Sequence, residues 1–191
     1  MPGIVPGAQD FFRPAKVAIA PVSGPVASGE VTAGAIYSPN SEQKSSLTVL
    51  DAGASFENAI AGALKTAGLV PIVLDSVPAG GFPPKGADYL LAADLKQFTV
   101  TKRFGSLETI HGQYFTMHAI VRATVELRDP MGGIVFAGEI SGSEDEPPAP
   151  VGREVFFPLE TDPAESLSVA MSRAAGSLVL EPKFRAAFAA R

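Results

Sequence analysis

The sequence predicts a small α+β domain with a mainly antiparallel sheet of four or five strands and two principal helices packed on one face. Three observations lead to this prediction. An amphipathic helical segment begins near Phe56, long alternating strands follow it, and a second, capped helix begins at Asp162. This order favours one helical layer on an antiparallel sheet.

The composition indicates a packed globule with several irregular segments. The 191 residues are 46% hydrophobic, which is enough for one domain with a sizeable core. The 17 prolines and 19 glycines are many for this length. They concentrate at 1–39, 78–86 and 147–158, and we predict that these stretches are loops or extended arms.

The first strand is predicted at residues 16–22, where KVAIAPV forms a short apolar run with β-branched residues. Residues 1–15 before it are predicted to be an N-terminal arm. Residues 23–50 contain Gly-Pro, Ser-Pro-Asn and Ser-Ser turn signals, so we predict a long excursion there, with room for a short strand at 47–50. Residues 16–182 are assigned to a single α+β domain.

The first helix follows this excursion. Asp51 or Ser55 can cap its start. Gly68, after the last turn, suits a left-handed C-terminal cap, with Leu69 as the hydrophobic contact behind it. The residues that share one apolar face at helical spacing are Phe56, Ile60, Ala63 and Leu64.

Four further strands are predicted in the middle of the chain. Residues 69–74 contain a proline, which favours a sheet edge, and residues 87–104 form a long strand with room for a bulge. Residues 114–128 are the clearest strand, because apolar and polar residues alternate along it. The turn signal at 129–133 leads into the next strand at 134–141. The predicted buried face of the clearest strand is Phe115, Met117, Ala119, Val121, Ala123, Val125 and Leu127.

The second helix has a well-marked start. Asp162 caps it, Pro163 occupies the first turn, and Glu165 lies at the capping-box position. Pro182 ends it, and residues 142–160 before it are predicted to be a loop. Its predicted apolar face consists of Leu167, Ala170, Met171, Ala174 and Leu178.

Residues 183–191 are predicted to form a short C-terminal helical tail. Phe184 and Phe188 lie one turn apart within it. Such a pair can pack on the body of the domain or on a partner, and association of copies through this tail would favour a cytoplasmic homo-oligomer.

The charge pattern and motifs predict neither a nucleic-acid site nor a catalytic one. The net charge is −5, and the dense basic cluster is confined to Lys102-Arg103, whereas phosphate binding needs clustered Lys and Arg. The absence of cysteine excludes disulfides, thiolate zinc ligands and a cysteine nucleophile. The glycine pairs lack phosphate-loop spacing, and there is no Gly-x-Ser-x-Gly elbow. We therefore predict no catalytic residue and no cofactor.

The candidate metal ligands are also sparse. His111 and His118 are the two histidines, and no carboxylate pattern accompanies them. The acidic cluster at 144–146 lacks the alternating spacing of a calcium loop. We predict surface histidines and a solvated acidic loop, and no metal site.

Four aromatic residues are the candidate partner-binding residues: Tyr114, Phe115, Phe156 and Phe157. Phe156-Phe157 lies in a proline-rich segment, where a paired aromatic can anchor a partner or tuck under the sheet. Packing within the domain is the competing interpretation, because exposed apolar patches are uncommon in monomers.

Several segments together resemble a known group of proteins. These are VAIAPV, FENAIAGALKTAGL, ADYLLAADLKQFTV, HAIVRATVELRDPMGGIVFAGEISGS and AESLSVAMSRAAGSLV. In this order they resemble small bacterial envelope lipoprotein domains of the YajG type, and are similar to auxiliary lipoproteins of ABC-type transporters and lipoprotein activators of peptidoglycan synthases. The resemblance covers roughly residues 16–22 and 52–180. These families share an architecture without a catalytic signature, so no functional residue is carried over.

The resemblance implies a non-catalytic envelope accessory domain that binds a partner protein or a lipid-like ligand, as an auxiliary component of transport or cell-wall assembly. The alternative is a soluble small-molecule-binding protein or enzyme with a pocket between sheet and helices. No run approaches the roughly 20 apolar residues of a membrane span. The start, MPGIVPG, lacks the pattern of a signal peptide. The expected location is the periplasm, at the outer membrane, if an export signal and lipid anchor absent from this chain exist, and the cytoplasm otherwise.

Overall fold

The computed structural model describes residues 14–38, 42–107, 112–151 and 163–189. Within these ranges one sheet of seven strands carries three α-helices, which confirms the α+β class with two main helices on the sheet. The strands are β1 (Lys16–Ile19), β2 (Glu30–Tyr37), β3 (Gln43–Leu50), β4 (Val70–Val73), β5 (Tyr89–Leu107), β6 (Gly112–Arg128) and β7 (Ile134–Val151). The helices are α1 (Ala52–Thr66), α2 (Pro163–Leu180) and α3 (Pro182–Ala189), and a short 3-10 turn spans Ala79–Gly81.

Strand β5 is the centre of the sheet. One of its edges pairs antiparallel with β6 along its whole length, and β6 pairs antiparallel with β7. Its other edge pairs in parallel with β1 near its start and with β2 near its end. β4 lies outside β1, and β3 lies outside β2. The antiparallel ladders are much longer than the parallel ones, as predicted. The predicted bulge in β5 is confirmed by a register shift between Leu95 and Gln97.

The sheet has seven strands, more than the four or five predicted, because the predicted excursion at 23–50 folds into the β2–β3 pair. Gly34 shows why the sequence of this segment suggested a loop. It is one of several glycines that suggested a loop, but it lies inside β2, where this strand pairs in parallel with β5. A Cβ atom added there would lie 1.6 Å from the carbonyl oxygen of Val100. The glycine therefore marks a close approach of two backbones within the sheet.

Strand β7 is also longer than predicted. The predicted loop at 142–160 is wrong for its first part, because β7 continues to Val151 and pairs with β6 as far as Gln113. Prolines lack the N–H that a central strand needs, which is why this segment suggested a loop. β7 pairs only with β6 among the described strands, so it is an outer strand, and an outer strand tolerates proline.

The core lies between the inner face of the sheet and the two long helices. The predicted alternation of β6 is confirmed, since Met117, Val121, Val125 and the residues between them on that face are at most 1% exposed. α1 and α2 contact each other, and α2 also covers β5, β6 and β7. The helix residues buried against the sheet include Phe56, Ile60, Leu64, Leu167, Ala170, Ala174 and Leu178.

Of the two caps predicted for α1, the structure confirms one. The C-terminal cap is confirmed. Gly68 has φ +84°, and the Leu69 N–H donates to the carbonyl of Leu64 at 3.0 Å. The N-terminal cap differs from the prediction. Asp51 holds the cap position with φ +50° but makes no side-chain capping bond, and Ser55 lies within the helix. The predicted cap of α2, Asp162, lies outside the described residues.

Helix α3 packs on the body of the domain. The ring of Phe184 meets the rings of Phe136 and Phe188 edge to face, with centroids 5.4 and 5.2 Å away. The ring of Phe188 meets that of Tyr89 at 4.8 Å. The Tyr89 hydroxyl donates to the carbonyl of Ala187 at 3.0 Å. These aromatic residues therefore join the tail to β5 and β7.

Candidate binding surfaces

The predicted partner-binding residues are divided between described and undescribed parts of the chain. Tyr114 and Phe115 lie in β6, where their backbones pair with β5 on one side and β7 on the other. Phe156 and Phe157 lie outside the described residues, as does His111. The pairing of Tyr114 and Phe115 places them near the end of the β5–β6 hairpin.

Three of the polar residues considered as metal ligands contact other polar groups of the described chain. A ring nitrogen of His118 contacts the carboxylate of Asp145 directly across β6 and β7, on the predicted outward face. Glu144 pairs with Arg173 of α2, and the Arg173 guanidinium also donates to the carbonyl of Ser143 at 2.6 Å. The acidic cluster thus begins in a strand and not in a loop. In the described part of the chain, no group of three or more His, Asp or Glu side chains could hold a metal ion.

The two residues of the dense basic cluster lie in different environments. Lys102 is 9% exposed, in an inward-facing position of β5 opposite Met117. Arg103 remains exposed and lies over the ring of Tyr37 at 5.3 Å from its centroid. The two neighbouring cations therefore face opposite sides of the sheet and do not form one basic surface.

None of the described helices is both long and apolar enough to span a bilayer.

Buried side chains of the described residues pack in the interior between sheet and helices. Phe56, Leu95 and Phe98, which lie in it, are at most 1% exposed. Open space lies outside this interior, in a groove between α1 and α2 with a volume of about 500 Å³. Five residues of α1 and three of α2 line the groove: Asn58, Ala59, Gly62, Ala63 and Thr66, and Ser172, Gly176 and Val179.

The groove exists because small residues occupy the adjacent faces of the two helices. Gly62 and Gly176 lie well inside α1 and α2 and have no positive φ. Apart from the backbone of its own helix, a Cβ atom added at either glycine would have no atom of the described residues within 4 Å. Alanine would therefore fit at both positions of the isolated chain, so neither the backbone conformation nor the packing of this chain requires glycine there.

The lining of the groove is uncharged. Its polar residues are Asn58, Thr66 and Ser172, and the Thr66 hydroxyl already donates to the carbonyl of Gly62 at 2.9 Å. An uncharged lining can be covered without leaving a buried charge unpaired, which would be costly. The groove is therefore suited to a neutral occupant with a small cross-section.

The sequence prediction did not identify this groove. It followed the buried faces of the helices, whereas Gly62 and Gly176 lie outside them. The available signal was a glycine within each helical pattern, in IAGAL and AAGSL. An isolated glycine in a helix costs stability and points to a packing or functional reason.

The fold is similar to that of several solved structures. A Xanthomonas campestris protein assigned to the family model DUF330 is 13% identical with a TM-score of 0.48, covering 87% of this chain and 82% of that chain. The PelC dodecamer from Paraburkholderia phytofirmans is 14% identical with a TM-score of 0.45, covering 89% of both chains. A lipoprotein of Neisseria meningitidis is 15% identical with a TM-score of 0.37, covering 70% of this chain and 85% of that chain.

No protein-family model matches the sequence, and no curated protein matches it significantly. The three structures described above include a bacterial lipoprotein, but at TM-scores of 0.48 or less they assign no function to this chain.

Proposed function

We propose that this protein is a non-catalytic binding module of the bacterial cell envelope, and that it holds a segment of a partner protein in the groove between α1 and α2. The observation that carries this proposal is the pair of glycines, Gly62 and Gly176, which face one groove from two helices without a structural need for glycine in the chain itself.

The stability cost of these glycines supports a role in binding. Glycine within a helix is about 1 kcal/mol less favourable than alanine, because it loses more conformational freedom on folding. A partner backbone that approaches the helices closely would use the missing Cβ atoms, as happens where helices meet at small residues. Contacts in the complex would then offset the stability cost of Gly62 and Gly176, which no contact in the described part of the free chain offsets.

The shape of the groove favours a protein segment over a lipid-like ligand. Small-molecule sites bury most of their ligand in clefts or cavities, whereas this groove lies on the outside of two helices above a filled core. Ala59, Ala63 and Val179 offer apolar contact, and Asn58 and Ser172 offer polar groups. Such a composition suits the apolar centre and polar surroundings of a protein interface.

The envelope location rests on the sequence resemblance to YajG-type lipoprotein domains. An auxiliary role in transport or cell-wall assembly is the finer form of this proposal. Phe156 and Phe157, in the segment between β7 and α2, remain predicted partner contacts. If they act with the groove, their replacement by alanine will weaken the same interaction.

The proposal is tested with the variants Gly62→Ala and Gly176→Ala, separately and together. Each substitution is expected to raise the free energy of unfolding by about 0.4–1 kcal/mol, since alanine fits and restricts the unfolded chain. The double variant should lose the partner in affinity capture from the solubilised envelope of the source organism. Chemical denaturation gives the first quantity, and quantitative mass spectrometry of the captured proteins gives the second.

Ser168→Ala is the matched control, because Ser168 is exposed on α2 and does not line the groove. It should leave the captured proteins unchanged. If the double variant and the control capture the same proteins in the same amounts, the groove is not the binding site. If instead a lipid co-purifies with the natural chain and is lost from the double variant, the occupant is a lipid and not a protein.

A further inference from the structure

Three strands lie at the outside of the described sheet, and they differ in their ability to accept another strand. β4 has four residues and contains Pro71. β7 carries the charges of Glu139, Glu144 and Asp145, and proline occurs repeatedly near its end. Prolines, charges and short length are the features by which sheet edges resist pairing with other chains.

Strand β3 has one of these features, the charged Lys44 near its start, and is otherwise unprotected. It has eight residues, and its last six, Ser45 to Leu50, include no charge, proline or glycine. Most of its side chains are exposed, and Leu50 is 69% exposed. Among the described strands, β3 pairs only with β2, so its outer edge presents unpaired backbone groups. A strand of this length and composition is a template for pairing.

The hydrogen-bond pattern identifies the groups that this edge offers. The Asp51 N–H donates to the carbonyl of Gly29 at 3.2 Å, just beyond the end of the β2–β3 ladder. Because residues alternate along an antiparallel strand, Val49 also bonds toward β2. The N–H and carbonyl groups of Thr48 and Leu50 therefore point away from β2, and those of Ser46 follow by the same alternation.

We propose that β3 pairs antiparallel with β3 of a second copy of this chain about a two-fold axis, so that two sheets become one. A two-fold interface uses the same surface on both copies, and each copy supplies the same unprotected edge. With the axis at Leu47, Ser46 opposes Thr48 and Lys44 opposes Leu50. No like charges then face each other. The N–H and carbonyl groups that point away from β2 in each copy face the β3 strand of the other copy.

The side chains on the core side of β3 support the same arrangement. Leu47 and Val49 are only half-buried, although they pack against the main core. In a pair centred on Leu47, the Leu47 side chains of the two copies lie opposite each other. Each copy then covers the apolar surface that the other leaves open, which stabilises the pair. This interface is independent of the α1–α2 groove.

The first test is the oligomeric state of the full chain over a wide concentration range, measured by sedimentation velocity. Thr48→Pro removes an N–H that points outward, which an outer strand tolerates. Thr48→Ala is the matched control, because it keeps the N–H. The natural chain and Thr48→Ala are expected to form dimers. The dimer dissociation constant of Thr48→Pro should be at least about tenfold higher. A monomeric natural chain, or a dimer unaffected by a folded Thr48→Pro, would overturn the proposal.

The second test does not depend on Thr48→Pro folding. Because the chain has no cysteine, a single cysteine can report on the pairing. Leu47→Cys, at the two-fold axis, should form a disulfide-linked dimer on mild oxidation, since directly opposed Cβ atoms lie about 4.5–5.5 Å apart. Leu50→Cys, which opposes Lys44, should not. Equal cross-linking of the two variants would contradict the register, and no cross-linking of Leu47→Cys would contradict the pairing.

Discussion

Glycines in this structure occupy positions of two different kinds. Gly34 and Gly142 lie where another backbone passes too close for a Cβ atom. Gly62 and Gly176 lie where no other segment in the described part of the chain comes close. In the sequence all four are the same residue type, and only the distances to their neighbours distinguish a packing requirement from an open position.

Gly142 gives a prediction at this scale. An added Cβ would lie 2.1 Å from the carbonyl oxygen of Ala170 and 2.4 Å from the amide nitrogen of Ala174, and both atoms belong to the backbone of α2. Gly142→Ala must therefore displace the helix from β7. We expect a loss of about 2–3 kcal/mol in the free energy of unfolding, as for other overpacked sites. The measurement is the urea midpoint.

Gly176→Ala, in the helix α2 that packs against Gly142, is the control for Gly142→Ala. It should shift the urea midpoint in the opposite direction. An unchanged midpoint for Gly142→Ala would mean that α2 can move away from β7 at little cost.

At the scale of elements, α3 shows how a terminal segment can belong to the core. Its two phenylalanines are spaced so that both reach the same side of a short helix, and the sequence left open whether they meet the domain or a partner. The structure places Phe184 at 0% exposure against Phe136, a residue of β7. Burial of both rings anchors a helix of eight residues, which would be unstable in isolation.

Phe184→Ala is predicted to destabilise the protein by about 3–5 kcal/mol, because it removes a buried ring and leaves a cavity. Thermal or urea unfolding measures the loss. Phe82→Ala is the control, since Phe82 is 49% exposed and should cost much less. If Phe184→Ala costs as little free energy of unfolding as Phe82→Ala, then α3 does not contribute to the core. Phe184→Leu, which leaves a smaller cavity, keeps the test usable if Phe184→Ala does not fold.

The whole molecule combines the long β5–β6 and β6–β7 ladders with the shorter outer strands β3 and β4. β5 and β6 pair over their full length and are covered by α2, whereas β3 and β4 lie at the edges. Local opening requires less free energy where few buried contacts are lost. The protein should therefore open from its edges and retain the β5–β6 pair until it unfolds globally.

Native-state hydrogen exchange tests this order at concentrations where the chain is monomeric. Amides in the middle of β6, such as Val121 and Val125, should exchange only through global unfolding. Amides of Thr48 and Leu50 should exchange orders of magnitude faster, because they point away from β2. Uniform protection across the sheet would contradict this prediction. Slower exchange of Thr48 and Leu50 at high concentration would be the expected effect of the β3 pairing.

The sequence determined those elements in which local chemistry and burial agree. The alternation of β6, the left-handed cap at Gly68 and the apolar faces of both helices could be read directly, because each has a residue pattern with one physical explanation. The α+β class follows from their order.

Tertiary structure decided the rest. Gly34 and the proline-rich end of β7 both resemble loops in sequence, but both lie in strands. At Gly34 the backbone of β5 passes too close for a Cβ atom. The prolines are tolerated because β7 is an outer strand among the described strands. Lys102 is polar in sequence, but its position in β5 buries it. The groove and the unprotected β3 edge depend on distances between segments far apart in the chain. A local pattern records the preferences of a segment, whereas a surface depends on which segments the fold brings together.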